Sequence, residues 1–167
     1  MSVTLKYKMV AEAEEVIALG LDNVDNPTIT HKLGDFASTL NATSMPVVTK
    51  AFSDTVPLVA GAGSLDLTSL AGPSGTSIDF TDLKVQMVQL ACPTTNSGGI
   101  TVAKKDAVTG YNLFGADNVS AEQVEVMPGS YVQLYHRDTL EDVDATHKDL
   151  TFAGTGTDTI QVLLVAG

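Results

Sequence analysis

The sequence is poor in the residues on which catalytic, metal-binding and nucleic-acid-binding proteins depend. Its 167 residues include one cysteine, no tryptophan, and nine lysine or arginine residues against twenty aspartate or glutamate residues. The single cysteine, Cys92, excludes an intrachain disulfide and a multi-cysteine zinc site. The net charge of −11 disfavours a nucleic-acid-binding surface, because such a surface needs a surplus of basic side chains.

Long apolar runs are also missing. No stretch approaches the roughly 20 residues that a membrane-spanning helix needs. The segment MSVTLKYKMVAEAEE lacks the apolar core of a signal peptide. We therefore expect a protein made in a cytosol, with neither a membrane nor nucleic acid as a direct partner. Cys92 closes the apolar run VQLAC, so we expect it to be a small buried hydrophobic side chain.

The sequence is rich in alternating apolar and polar residues. Hydrophobic residues make up 44% of the chain and charged residues 17%, which is typical of a folded domain and not of a disordered chain. In SVTLKYKM the alternation has a period of two, which predicts a half-buried strand. One face would carry Val3, Leu5, Tyr7 and Met9, and the other Thr4, Lys6 and Lys8.

Three segments of the first third are harder to interpret. AEAEEVIALGL suits either a short helix or a strand, because Ala and Glu favour helix whereas Val16 and Ile17 favour strand. From residue 28 to residue 50 the chain is rich in Thr, Ser and Asn, and we expect loops with weak strands. VVTKAFSDTVPLVAG resumes an extended pattern, in which Pro57 predicts an edge strand or a bulge.

The whole pattern predicts an all-β protein. About eight to ten short strands separated by turns such as AGPSG, TTNSGG and MPGS favour an antiparallel β-sandwich of jelly-roll type with little helix. We expect a single domain over residues 1–167, with residues 1–57 as an N-terminal arm or extra strands. In KVQMVQLA, Val85 and Met87 share one face while Val88 and Leu90 are displaced by one position, which predicts a bulge or a strand buried on both sides.

No motif in the sequence indicates catalysis. The glycine-rich segment GTGTDTIQVLLVAG lacks the lysine and the following helix of a phosphate-binding loop, so it predicts a turn before a last strand. No G-x-S-x-G nucleophile elbow is present. His31, His136 and His147 are not spaced as metal ligands, although a site assembled in three dimensions stays open. We therefore expect no enzymatic activity and no cofactor.

The sequence also has candidate residues for a calcium site and for a sugar-binding site. The polar segment HRDTLEDVDATHKD could offer oxygen ligands to Ca²⁺ from Asp138, Glu141, Asp142 and Asp144. It lacks the glycine of an EF-hand loop, so a solvated acidic loop is the favoured interpretation. Sugars stack on exposed aromatic rings, but aromatic residues make up only 5% of the chain. Tyr111 and Tyr135 are the candidate platforms, and a packing role is favoured for both.

Five segments resemble, in order, small single-jelly-roll structural proteins of tailed bacteriophages. They are GSLDLTSLAGP, IDFTDLKVQMVQLACP, ITVAKKDAVTGYNLFG, VEVMPGSYVQLYHRD and TGTDTIQVLLVAG, within roughly residues 58–167. The resemblance implies a non-enzymatic virion protein made in the host cytoplasm, such as a capsid decoration (cement) protein or another accessory protein of the head or tail. Its implied partners are the major capsid protein or other virion proteins, and further copies of itself. It implies no catalytic or ligand-binding residues.

An assembly protein must present strand edges or apolar surfaces to its neighbours. We expect SVTLKYKMV to be one such strand, which adds to a sheet of a neighbouring subunit while its lysines meet an acidic partner. The interface candidates are Val3, Leu5, Lys6, Tyr7, Lys8 and Met9. An ordinary intramolecular strand is the competing interpretation, and a glycan-binding β-sandwich module on a phage tail or cell surface is the alternative function.

Overall fold

The computed structural model describes residues 3–16, 28–72, 75–105, 108–114, 122–137 and 139–167, and within these ranges no residue is α-helical. The predicted all-β, antiparallel β-sandwich is confirmed, with twelve strands among the described residues instead of eight to ten. The strands are β1 (Thr4–Val16), β2 (Thr28–Asn41), β3 (Lys50–Pro57), β4 (Ala62–Asp66), β5 (Leu70–Ala71), β6 (Ser77–Ile78), β7 (Val85–Ala91), β8 (Ile100–Lys104), β9 (Gln123–Val126), β10 (Tyr131–Tyr135), β11 (Asp149–Ala153) and β12 (Thr159–Ala166).

Eight of these strands form a jelly roll. One sheet has the order β10-β7-β12-β3 and the other β4-β11-β8-β9, and every pairing within them is antiparallel. Counted along these eight strands, the first pairs with the last, the second with the seventh, the third with the sixth and the fourth with the fifth. This is the pairing of a long hairpin rolled into two sheets, which defines the jelly roll. The small β5–β6 ladder lies in the connection between β4 and β7.

The core lies between the inner faces of the two sheets. Phe52 of β3, Phe152 of β11 and Leu164 of β12 are at most 2% exposed, and Phe80, from the β6–β7 connection, is fully buried with them. Alternate residues of each strand point into this core because successive side chains of a strand point to opposite faces. Burying these side chains is the main favourable term in folding.

The irregularity predicted in β7 is a β-bulge, but it lies at Gln86 and not after Met87, so the prediction that Val85 and Met87 share one face was wrong. Met87 pairs with Val165 of β12, but Val85 pairs with Ala166, so the register shifts by one residue at Gln86. Val85 therefore returns to the inner face with Val88, while Met87 lies on the outer face. The Gln86 side chain is buried, and its Nε2 atom donates to the carbonyl oxygens of Val47 (2.7 Å) and Gly167 (3.0 Å).

Strands β1 and β2 form a separate antiparallel hairpin, which we call the arm. It pairs Thr4 with Asn41 at one end and Val16 with Thr28 at the other, with one irregularity between Met9 and Ala11. The strand interpretation of residues 11–16 is therefore correct. The expectation of loops and weak strands from residue 28 was wrong for β2, a strand of 14 residues whose backbone hydrogen bonds come from its antiparallel pairing with β1.

Candidate interaction surfaces

The outer face of the β10-β7-β12-β3 sheet, which we call the arm-side face, changes in character along its strands. The pairing register aligns its outward side chains in three rows across the sheet. The first row is apolar, the second mixed and the third mostly polar. They comprise Tyr135, Met87, Val165 and Ala51; then Gln133, Gln89, Leu163 and Ser53; then Tyr131, Ala91, Gln161 and Thr55.

The base of the arm covers the apolar row. Leu5 of β1 and Leu40 of β2 are buried in a second hydrophobic cluster with Met87 and Val165, and Val48 completes this cluster. The cluster is distinct from the main core, because the β7 and β12 backbones separate the two. Burial of apolar area, at roughly 25 cal/mol per Å², therefore holds the arm against the sandwich.

An aromatic stack adds to this contact. The rings of Tyr7 in β1 and Tyr135 in β10 lie 4.6 Å apart between centroids, with 25° between their planes. Burial, together with the neighbouring Tyr7 hydroxyl, raises the pKa of Tyr135 above its usual value. Tyr135 is therefore a packing residue of the arm and is not an exposed platform for a sugar ring.

The rest of the arm-side face is open. A groove of about 470 Å³ is lined by polar side chains that include Ser53, Asp54, Gln89 and Gln161. A second groove of about 230 Å³ adjoins it, between residues 5–8 of β1 and the row that contains Gln89. Among the described residues, the walls of this second groove come from β1 and the sheet and not from β2. The edge of β1 that faces away from β2 therefore borders open space.

The structure places the interface candidates of β1 on two faces. Val3, Tyr7 and Met9 are partly buried and Leu5 is buried, whereas Lys6 and Lys8 are exposed. Val3, Leu5 and Tyr7 contribute to the arm's own hydrophobic cluster. The predicted alternation is thus confirmed. Whether β1 pairs with a neighbouring subunit remains a prediction.

The far half of β1 is acidic and exposed. Glu12, Glu14 and Glu15 follow the two lysines along the strand, and all three are exposed. Across the hairpin, Lys6 lies opposite Thr39, Glu12 lies opposite Lys32 and Glu14 lies opposite Thr30. The strand therefore carries positive charge near its start and negative charge near its end.

The acidic loop after β10 folds around a histidine. His147 lies 3.1 Å from both Glu141 and Asp144, through its Nε2 and Nδ1 atoms respectively. Asp144 also accepts hydrogen bonds from the backbone and side chain of Thr146, which lower the pKa of its carboxyl group to about 2.

Of the four calcium candidates, Asp142 is exposed and lies 3.8 Å from Lys84, and Asp138 lies outside the described residues. No group of three or more potential metal ligands occurs in the described part of the chain.

The histidines are not gathered at one site among the described side chains. His136 directly follows β10, and its backbone N–H donates to the carbonyl oxygen of Gln86. Burial lowers the pKa of His136, although a hydrogen bond with the Leu113 backbone opposes the effect. His147 lies in the acidic loop, and the side chain of His31 lies outside the described residues.

Tyr111, the other candidate platform, is a core residue. It is fully buried, and its hydroxyl donates to the carbonyl oxygen of Glu141 (2.9 Å) and accepts from the N–H of Val85 (3.1 Å). Burial raises its pKa far above the usual value. Tyr111 therefore ties β7 to the acidic loop from inside the sandwich. Cys92 is also buried, as predicted.

Two exposed apolar residues lie at one end of the sandwich, which we call the loop end (residues 58–61, 92–99, 127–130 and 154–158). Val59 is 77% exposed and Met127 is 53% exposed. The turns around them are cross-linked: Asp158 accepts from the backbone and hydroxyl of Ser97, and Asn96 bonds both ways with the backbone of Thr159. The turns around Val59 and Met127 are therefore held in place by hydrogen bonds, while the two side chains are exposed.

Sequence reasoning did not single out Val59, Met127 or the exposed Tyr131, because turn residues and strand ends show no periodic pattern. Comparisons with protein-family models, curated proteins and solved structures found no match to this chain. Within the described ranges, no helix is both long and apolar enough to cross a bilayer.

Proposed function

We propose that the protein is a non-enzymatic structural component of a virion, a decoration protein that attaches to a larger capsid shell. The observation that carries the proposal is the arm. It is a two-stranded extension outside the jelly roll, and its outer edges pair with no other strand among the described residues. Unpaired edges endanger a protein that acts alone, but they supply binding surfaces in an assembly.

The body of the protein suits the same role. Jelly rolls build viral capsid domains as well as other proteins. The apolar tips at the loop end, Val59 and Met127, offer a contact surface whose loops are already ordered. Such a surface loses little conformational entropy on binding, because the cost of ordering loops at an interface is avoided. We assign the shell contact to these tips and to the arm.

Co-sedimentation tests the proposal. The purified protein is mixed with particles assembled from the major shell protein encoded in the same genome, and bound protein is measured after centrifugation. We expect saturable binding that weakens at least tenfold in a Val59→Ser, Met127→Ser double variant. Val108→Ser is the matched control, because Val108 is 70% exposed at the opposite end of β11. A native protein that never sediments with the particles would refute the role.

The arm-side face supports a second candidate function, glycan binding. The polar groove has hydroxyl, amide and carboxylate side chains, and the exposed Tyr131 lies in the same row as Gln161 and Thr55. Polar groups beside an aromatic ring are the ingredients of a sugar site. A glycan array tests this function: binding that is lost in Tyr131→Ala would support it, and an array without hits would remove it.

A further inference from the structure

The charges of β1 follow a pattern that is complementary to itself. On its face away from the sandwich the strand presents Lys6 and Lys8. Glu12 and Glu14 continue the same alternation, because the extra residue of the irregularity after Met9 lies in β2. The strand runs from Thr4 to Val16, so its midpoint is position 10. The two lysines and the two glutamates lie at equal distances on either side of that midpoint.

We propose that the open edge of β1 binds the same edge of a second copy of this chain, antiparallel and centred on position 10. Antiparallel strands place directly opposite residues on the same face, with their Cβ atoms about 5 Å apart. In this register Lys6 lies opposite Glu14 of the second copy, and Lys8 lies opposite Glu12 of the second copy. The two-fold symmetry repeats both pairs. The two arms then form one four-stranded sheet, in the order β2-β1-β1-β2.

The charge pattern selects this register over its neighbours. A shift by two residues leaves only one of the two kinds of lysine–glutamate pair. A parallel, in-register pairing places Lys6 beside Lys6 and Glu14 beside Glu14, and like charges directly opposite each other are destabilising. A shift by one residue places Lys6 and Lys8 opposite Ala13 and Ala11 in one direction, and opposite Glu15 and Ala13 in the other. Either shift also joins opposite faces of the two strands and keeps at most one kind of lysine–glutamate pair.

A groove borders β1 on the side where the second strand would lie. The groove of about 230 Å³ lies beside residues 5–8, on the side of β1 away from β2. In the proposed register, residues 12–15 of the second copy run along this stretch. Ala13 of the second copy then lies opposite Tyr7, where a small side chain leaves the Tyr7–Tyr135 stack undisturbed.

Charge exchange in solution tests the inference. Lys6→Glu and Glu14→Lys are made singly and together, and molecular mass is followed by sedimentation velocity over a range of protein and salt concentrations. Both positions face threonines within the arm, so neither change creates a like-charge pair opposite it in the hairpin. Lys104→Glu and Glu125→Lys, on β8 and β9, are the matched controls, and circular dichroism verifies folding.

We expect the native chain to form a reversible dimer that weakens as salt is raised. Each single variant should dimerise roughly tenfold or more weakly, because two attractive pairs become repulsive. An equimolar mixture of the two variants, and the double variant alone, should recover the native affinity. A monomeric native chain, or a dimer unaffected by the single changes, would overturn the inference.

Cross-linking tests the register itself. In the proposed dimer, position 10 of one copy lies opposite position 10 of the second copy, at the two-fold axis. Oxidation of a Val10→Cys variant should therefore give a disulfide-linked dimer. The native Cys92 is buried and does not compete. Glu14→Cys is the control, since its two copies would lie about 27 Å apart along the strands. Equal cross-linking at the two positions would overturn the register. The inference is independent of the virion role, because a dimer can form without shell binding and shell binding can occur without this dimer.

Discussion

The two outer faces of the sandwich differ although the same fold builds both. The arm-side face has the apolar row of Tyr135, Met87, Val165 and Ala51, which the arm covers. On the outer face of the β4-β11-β8-β9 sheet, which we call the far face, the register aligns small and polar side chains. They are Ser64, Thr151, Ala103 and Gln123 in one row, and Ala62, Ala153, Thr101 and Glu125 in the next.

The difference between the two faces explains why the arm packs against one of them and not the other. Water can solvate the far face directly, since it exposes hydroxyl, amide and methyl groups. The apolar row of the arm-side face needs a cover, and Leu5, Tyr7 and Leu40 of the arm provide it. The covering strands in turn bring an unpaired edge to the surface. The arm thus covers an apolar row and exposes a strand edge, whose unpaired N–H and C=O groups can pair with another chain.

The largest expected loss of stability comes from a substitution in the core between the two sheets. Leu164→Ala removes a fully buried side chain from the inner face of β12. We expect a loss of about 2–5 kcal/mol in the free energy of unfolding, because the cavity adds to the lost transfer energy. Chemical denaturation should show arm and sandwich losing structure together. A loss below about 1 kcal/mol would contradict the assignment of Leu164 to the core.

A matched pair of substitutions compares the faces directly. Ala51→Thr adds bulk beneath the arm and should cost about 1–3 kcal/mol, as overpacked sites do. Ala103→Thr makes the same change on the far face, where we expect no more than about 0.5 kcal/mol. Hydrogen exchange should show faster exchange in the arm of the first variant only. Equal costs at the two positions would contradict the distinction between the faces.

The stacked tyrosines should be energetically coupled. A double-mutant cycle with Tyr7→Leu and Tyr135→Leu isolates the ring–ring interaction from the burial of each side chain. We expect a coupling energy of about 0.5–1.5 kcal/mol. Additive effects would mean that the arm rests on this face through its aliphatic contacts alone.

The smallest effect concerns pH at the end of β10. Burial lowers the pKa of His136 in the folded protein, so between that pKa and 6.5 the unfolded chain binds more protons. The stabilisation that comes from keeping the His136 side chain neutral is therefore fully present above about pH 6.5. It is lost as the pH falls toward the pKa of His136 in the folded protein. In His136→Gln, stability should depend less on pH between 7 and 5. An unchanged dependence would assign the effect to other groups.

The sequence predicted the parts of this molecule that follow a period. The alternation of β1 and the edge position of β3, with Pro57 at its end, agree with the structure. The irregularity predicted in β7 is present, but earlier in the strand than its apolar pattern indicated. The alternation of β1 depends on local burial, which repeats every second residue, whereas the edge position of Pro57 follows from its missing N–H group. Jelly-roll topology was also predicted, from the number of strands and the missing crossover helices.

What could not be predicted depends on long-range contacts. β2 has no period-two alternation, because its apolar residues Ile29, Leu33, Phe36 and Leu40 are three or four positions apart; only its pairing with β1 fixes it as a strand. The loop end is assembled from four distant segments, so Val59 and Met127 give no signal in the sequence. Tyr135 and Tyr111 were correctly given packing roles, but their partners Tyr7 and Glu141 became evident only in three dimensions.

Hydrogen–deuterium exchange on the assembled particle tests the account most directly. The protein is labelled free and bound to shell particles, and protection is mapped on peptides from the arm, the loop end and the far face. We predict that binding protects backbone amides of the arm and the loop end, and leaves β8 and β11 of the far face as they are in the free protein. Protection confined to the far face, or none anywhere in the bound protein, would contradict a virion component that acts through its arm.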